Sequence, residues 1–318
     1  MKKTRIAVIG AGYLGRLHAQ KCSRIPEAHL VGVVDIARDR AEEVAKEANS
    51  VPYTDFRRLF GAVDAVSIVT PTENHFEIGL EFLKAGVDVL MEKPVTKTPE
   101  EALRLIEEAG KRGLILQVGH LERFNAAVVA LEGRVNNPMF IESQRISPFP
   151  NRSTDVDVIL DLMIHDIDII LNLVRSDVKS VSAVGMPVVT DMVDMANARI
   201  TFANGCVADV TASRVARERV RKITIFQREQ YFSIDYANQL ITASRPRPDA
   251  AGLHDEEIRL EKSDSLMEEI RAFIKCSATR TPPLVSGAEG LNALKLAQRI
   301  QEAAKASMEE FLLKCGHG

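Results

Sequence analysis

The stretch Arg5-Ile6-Ala7-Val8-Ile9-Gly10-Ala11-Gly12-Tyr13-Leu14-Gly15 decides the fold of this 318-residue chain. A short apolar run ends in glycines spaced G-x-G-x-x-G. The spacing alone is a weak signal, but directly after a strand and at the opening of a helix it gains weight. Gly10 permits a tight turn, Gly12 lets backbone approach a pyrophosphate, and Gly15 lets helix and strand pack closely. The helix start at Tyr13 and Leu14 offers N–H groups to an anion. The competing reading is a glycine turn that binds nothing.

Working outward, similar apolar runs recur at 30–34, 64–69, 87–91 and 114–118, with helical patterns at 13–24, 37–48, 73–85 and 99–111. Strands apolar on both faces and separated by helices predict a parallel sheet covered on both sides. Thr98, Pro99 and Glu101 spell a capping box with proline at the first helical position, and Gly86 and Gly113 stand where helices end. The second strand ends at Asp35, followed by Ile36. A carboxylate there can accept hydrogen bonds from adenosine ribose hydroxyls and would repel a 2′-phosphate, which favours NAD over NADP. Arg38 and Arg40 soften that preference. The third strand delivers Thr70-Pro71-Thr72, with Asn74 and His75 opening the next helix, at the sheet edge where ligands bind in open α/β folds. His75 either touches a cofactor or helps to cap its helix. The fourth strand ends in Met91-Glu92-Lys93-Pro94. The proline restricts the residue before it to extended backbone, aiming side chains into the cleft.

A length of 318 residues with 46% hydrophobic content suits two cores. The net charge of -3 gives no electrostatic reason to bind nucleic acid or anionic lipid. No apolar run approaches the roughly 20 residues that cross a bilayer. Met1-Lys2-Lys3-Thr4 leads straight into a strand without a signal core, so the expectation is a cytoplasmic protein. Cys22, Cys206, Cys276 and Cys315 form no C-x-x-C pair, and no metal site is expected. Cys315 with His317 in the tail makes a poor one.

Downstream, residues 155–174 read as one helix. Asp157, Asp161, His165, Asp168 and Asn172 fall in a narrow stripe on an otherwise apolar cylinder, with Asp166 the main exception. A water-filled cleft would explain a polar stripe on so apolar a helix. A solvated helix face or a metal pair, Asp161 with His165, are the alternatives. Strictly alternating residues 196–203, then Asn204-Gly205 as a type I′ turn, then 206–213 predict a hairpin. Further strands are expected at 139–147, 178–186, 221–228, 231–236 and 239–243. The stretch 245–264, rich in proline and charge, reads as loop, and 287–306 as helix.

Three features in order, the glycine turn at 10–15, Glu92-Lys93-Pro94 and Asp161-x-x-x-His165, resemble the glucose-fructose oxidoreductase / inositol dehydrogenase / MocA family. The resemblance implies a Rossmann domain over 1–121. It also implies a substrate and oligomerisation domain over 122–318, whose largely antiparallel open sheet packs on helices (α/β followed by α+β), with helix 287–306 packing across both. It implies NAD(P)-dependent hydride transfer at a sugar or polyol hydroxyl. Lys93 would contact the reacting hydroxyl and nicotinamide ribose, His165 exchange the proton, and Asp161 hold the substrate. The lysine and the imidazole would have to converge beside the carbon that gives up its hydride.

For the substrate, Arg123 could bind a phosphate or carboxylate, or pair with Glu122 or an acid on the long helix. Asn151-Arg152-Ser153 has the polar composition of a substrate loop. The runs 120–125 and 155–168 resemble members acting at C3 of UDP-N-acetylglucosamine-type sugars. An inositol or free-polyol dehydrogenase and a non-catalytic dinucleotide sensor remain alternatives. A homodimer or homotetramer through the C-terminal sheet is expected by analogy.

Overall fold

A computed structural model describes residues 3–149, 156–236, 238–247 and 251–316. The chain divides into two compact units, Met1–Phe124 with Asp264–Leu291, and Asn125–Ser263 with Asn292–Gly318. A single cut after residue 121 would not separate them, because 264–291 returns to the first unit.

The first unit runs β1 (Thr4–Ile9), α1 (Tyr13–Cys22), β2 (Ala28–Val34), α2 (Arg38–Glu47), β3 (Val51–Tyr53), β4 (Ala65–Ile68), α3 (His75–Lys84), β5 (Asp88–Glu92), α4 (Pro99–Arg112) and β6 (Leu116–Gly119). Its strands pair in parallel in the order β3-β2-β1-β4-β5-β6. That is the doubly wound Rossmann order, reversing between β1 and β4. Every residue of β4, β5 and β6 is buried, because helices cover both faces of such a sheet. Thr98 and Glu101 complete the capping box of α4, and Gly113 closes it in the left-handed region at φ 64°. Strand β3, absent from the sequence reading, is three residues long with Pro52 at its centre and lies at the sheet edge. An edge is where a strand tolerates proline.

The second unit holds α5 (Ala126–Val129) and β7 (Phe140–Ile146), then a π-helical turn over Ile159–Met163 that leads into α6 (Ile164–Val174). There follow β8 (Val178–Met186), β9 (Met195–Phe202), β10 (Val207–Ser213), β11 (Val220–Gln227), β12 (Gln230–Asp235), β13 (Leu240–Pro246) and β14 (Leu253–Arg259). These strands form one sheet in the order β14-β13-β12-β11-β7-β10-β9-β8. Pairing is antiparallel except between β7 and β10. Ala196, Ala198, Ile200, Ala208, Val210 and Ala212 share a core with Ile164, Ile167 and Ile170. The alternation seen in the sequence is the imprint of a sheet with one face on helices.

Two expectations need correction here. Strand β14 occupies the stretch read as loop; its charged residues are mostly exposed, as an edge strand permits. The β9–β10 connection is a loop of Ala203, Asn204 and Gly205, not a type I′ turn. Gly205 N–H reaches the Phe202 carbonyl at 3.1 Å, and Gly205 has φ 89° while Asn204 stays out of the left-handed region. That is a type I turn with a glycine bulge.

Helix α7 (Ser265–Thr279) returns to the first unit. Its Ile270, Phe273 and Ile274 share a core with Ala19, Cys22 and Ile25. At the start of β5, buried Asp88 accepts from Ser277 Oγ at 2.7 Å and Arg280 Nη1 at 2.8 Å. Helix α8 (Gly287–Cys315) begins in the first unit, with Gly287 and Gly290 pressed against Leu116 and Val118. From Asn292 onward it belongs to the second, placing Leu296, Ala297, Ile300 and Ala304 in that core. Among the described residues, no helix is long and apolar enough to cross a membrane.

Candidate active site

The glycine turn joins β1 to α1 at the topological switch point. Gly10 has φ 102°, and a Cβ there would come within 2.5 Å of the Val69 carbonyl. A Cβ on Gly15 would sit 1.8 Å from the Gly10 carbonyl. Protein packing therefore forces glycine at both positions. Gly12 differs, since a Cβ there would meet nothing within 4 Å. The open space before it is what backbone-to-pyrophosphate contact uses. Helix α1 starts here with no side-chain cap and no acid in its first turn, which suits an anion. Tyr13 and Leu14 are exposed beside the turn, and Ile36, at 92%, projects almost wholly into solvent.

Asp35, at the end of β2, is buried and well bonded. It accepts from Ala11 N–H at 2.9 Å, Ala37 N–H at 2.8 Å and Arg40 Nη2 at 2.8 Å. Burial opposes its charge, yet these donors outweigh it and hold the carboxyl below its ordinary range. Arg40 thus neutralises part of the charge that would exclude a 2′-phosphate. Arg38 pairs instead with Glu42 at 2.7 Å. Thr70, after β4, buries its Oγ1 with no partner among the described residues, an orphan that a ligand hydroxyl could satisfy. Pro71 and Thr72 continue the same loop.

His75 does not cap its helix, whose N-cap is Asn74. It is 1% exposed, with Nε2 at 2.9 Å from the Thr70 carbonyl and Nδ1 at 3.0 Å from the Pro94 carbonyl. A neutral ring donates to one of these carbonyls and lies against the other, so it ties the Thr70-Pro71 loop to the segment after β5. Burial lowers its pKa against the pull of the two carbonyls.

The end of β5 carries Glu92 and Lys93, and the Lys93-Pro94 peptide is cis. Lys93 is half-buried. The Glu92 side chain faces inward. His18 Nε2 lies 3.1 Å from Oε1, and Lys93 N–H donates to Oε2 at 3.2 Å. His18 is itself fully buried on α1, with Nδ1 2.8 Å from Ser67 Oγ. The sequence reading missed His18. It lies in the buried α1 stripe with Gly15, Ala19 and Cys22, a spacing that marks it as interior.

In the second unit the polar stripe resolves into distinct jobs. The π turn carries Asp161, and α6 carries His165 in its first turn; both are partly exposed. Turns of this kind recur at functional sites, and this one departs from the uniform wheel assumed over 155–174. Asp157 is a cap, accepting from Ile159 and Leu160 N–H at 2.9 Å each and from Gln301. Asp168 is buried and Asn172 half-buried. Asp166, the exception to the stripe, is held by Arg145 through Nε and Nη2 at 2.9 Å each, both side chains buried. A second buried pair, Arg214 with Asp194 at 2.7 Å, sends Arg214 Nη1 to the Val156 carbonyl at 2.6 Å. It thereby fixes the approach to the π turn.

Arg123 is only 5% exposed, on a 3-10 turn over Leu121–Phe124 that packs against α7. Asn151, Arg152 and Ser153 lie outside the described residues, as does His317. No group of three potential ligands that could hold a metal occurs among the described residues.

Comparison with known proteins agrees with this layout. The model of an oxidoreductase family with an NAD-binding Rossmann fold matches residues 4–120, and that of the GFO/IDH/MocA C-terminal domain matches 127–232. The UDP-N-acetylglucosamine 3-dehydrogenase of Acidithiobacillus ferrooxidans is 41% identical over 310 residues, covering 96% of this chain and 98% of that protein. Its solved structure superposes with a TM-score of 0.92 over 96% of this chain and 99% of that one. The myo-inositol 2-dehydrogenase of Thermotoga maritima is 30% identical, covering 96% of each chain. A levoglucosan dehydrogenase in complex with NADH shares the fold at 20% identity, with a TM-score of 0.85 over 96% of this chain and 98% of that one. The chain belongs to the glucose-fructose oxidoreductase, inositol dehydrogenase and MocA family: it is an oxidoreductase with that family's NAD-binding Rossmann domain and C-terminal domain.

Proposed function

We propose that the protein oxidises a ring hydroxyl of a nucleotide-linked amino sugar, at C3 of a UDP-N-acetylglucosamine-type substrate, with NAD as cofactor. The observation that carries this reading is the 41% identity to a UDP-N-acetylglucosamine 3-dehydrogenase across nearly the full length of both chains. Bound NAD would supply the hydride acceptor. Gly10, Gly12 and Gly15 form the turn for its pyrophosphate, and Asp35 keeps a lone pair for a ribose hydroxyl. Tyr13, Leu14 and Ile36 offer apolar surface, and Thr70-Pro71-Thr72 lines the strand edge.

In the reaction, the Lys93 ammonium favours the negative charge developing on the reacting oxygen. His165 accepts the hydroxyl proton, for which an imidazole of ordinary pKa about 6.5 is suited at neutral pH. Asp161, four residues earlier, orients the sugar. We place the enzyme in the cytoplasm as a homo-oligomer formed through the second unit's sheet.

Initial rates with UDP-N-acetylglucosamine and with myo-inositol, each with NAD and with NADP, test the assignment. A higher kcat/KM with the nucleotide sugar and NAD, giving a product with a C3 carbonyl by NMR, is expected. Preference for the free polyol would overturn the substrate, and preference for NADP the cofactor. Gly12→Ala checks the cofactor turn separately: folding stability should hold, while NAD affinity should fall by about 1–3 kcal/mol from crowding.

A further inference from the structure

Behind Lys93 lies a buried acidic cluster that the proposed chemistry does not use. Helix α7 carries Glu269, 0% exposed, and neither of its carboxylate oxygens has a partner among the described residues. Gln117 on β6 ties it in place, donating from Nε2 to the Glu269 backbone carbonyl at 3.2 Å. Two residues further along β6, on the same face of the strand, Gly119 leaves room for a neighbour: a Cβ there would be 3.0 Å from the Glu92 carboxylate. The Glu92 carboxylate therefore lies over β6 beside the position where α7 delivers Glu269.

Hydrogen-bond supply here is lopsided. Both Glu269 oxygens and Gln117 Oε1 are buried acceptors without donors. An ionised carboxylate in such a place lacks the donors that buried charges require. One proton would turn an acceptor into a donor and relieve the shortage.

We propose that Glu92 and Glu269 hold one proton between them, carried by Glu269, and that Glu269 is thereby a positioning residue for the main chain at Lys93. With Glu269 neutral, Glu92 is the single anion of the pair and keeps its bonds to His18 and to the Lys93 N–H. The titratable and charged groups around the pair are His18 and Lys21 on α1, His75 and Lys93 near the end of β5, His120 after β6, and Glu122 and Arg123 on the turn packed against α7. On α7 itself, Glu268 and Arg271 pair with each other at the surface. Burial, and then the Glu92 charge, push the Glu269 carboxyl well above its ordinary value. Burial also opposes the charge of Glu92, but His18 and Lys93 outweigh it and hold that carboxyl low.

The direction of the pH effect follows by linkage. A carboxyl that titrates higher in the folded than in the unfolded chain makes stability fall as pH rises above its unfolded value of about 4.3. The fall ends once the folded value is passed. Glu269→Gln, a neutral isostere, should remove that fall, so the variant gains on the parent as pH rises.

The test uses full-length protein without substrate. The infrared difference between parent and Glu269→Gln at neutral pH should show a protonated-carboxyl carbonyl band in the parent alone. Urea midpoints from acid to alkaline pH should show the stability difference just described. Absence of the band, or a parent and variant with parallel pH dependence, would overturn the proposal.

The kinetic consequence rests on the role given to Lys93 above. Glu269→Leu, which cannot donate, should lower kcat by about tenfold or more, while Glu269→Gln restores most of it. Equal loss in both variants would remove the positioning role. If Lys93 proved dispensable while the band persisted, the assignment of Lys93 would fail and the shared proton would stand.

Discussion

Lys93 and His165 each have a buried carboxylate as chain neighbour, and the two carboxylates are secured differently. Asp166, next to His165, is gripped by two nitrogens of Arg145. A guanidinium keeps its charge at any accessible pH, so the cation of that anchor is permanent. Glu92, next to Lys93, is held by an imidazole and lies beside a second acid. The second unit therefore carries a fixed anchor and the first a titratable one. Buried charge alone says little about function; what matters is whether its partners can change protonation.

The largest effect should come from Lys93→Met, which removes the cation that the first anchor positions. A fall in kcat/KM of about 10²–10³-fold is expected, with NADH affinity, measured by fluorescence titration, nearly intact. Unchanged turnover would leave the anchor at Glu92 without a purpose. His165→Ala should lower kcat by about 10²-fold and abolish the limb of the pH–rate profile near neutrality. An unchanged profile would move the proton acceptor elsewhere.

Arg145→Met addresses the fixed anchor. Stranding Asp166 as a buried charge should cost about 3–5 kcal/mol in urea unfolding, most of it recovered when Asp166 is also replaced by Leu. A small loss in the single variant would mean that Asp166 is less isolated than the geometry indicates.

The smallest effect concerns acid. Burial works against the charge of Asp194, but the Thr190, Val189 and Val188 N–H groups and Arg214 hold its carboxyl far below the ordinary range. Its stabilisation is complete at neutral pH and is lost as pH falls below the ordinary aspartate value of about 3.9. Asp194→Asn should flatten that acid arm of the stability curve while leaving the fall with rising pH that Glu269 causes untouched. Movement of both arms together would show that the two units do not titrate independently.

Much of this arrangement is legible in the sequence because it is local. The glycine turn, the capping box at Thr98 and the alternation along β9 and β10 each depend on neighbours a few residues away. The parts that escape reading depend on distant partners. Helix α7 announces itself only through the spacing of Leu266, Ile270, Phe273 and Ile274. Nothing local says that Ser277 and Arg280 will meet Asp88, 189 and 192 positions away. His75 looks like a helix-start residue until the Pro94 carbonyl arrives beside it. Asp161 and Asp157 are alike in sequence; the π turn and Gln301 separate a cap from a candidate substrate ligand.

The return of α7 has a consequence for how the protein is made. Residues 1–124 emerge from the ribosome as a sheet whose apolar flank around Ala19, Cys22 and Ile25 has no cover. Its cover, Ile270, Phe273 and Ile274, is synthesised only after the whole intervening unit. The usual order of vectorial folding, with the N-terminal domain finished first, is thus reversed: the Rossmann half is begun first and completed late, and a nascent chain stalled before Ser265 would hold an unfinished half with its greasy side open to chaperones.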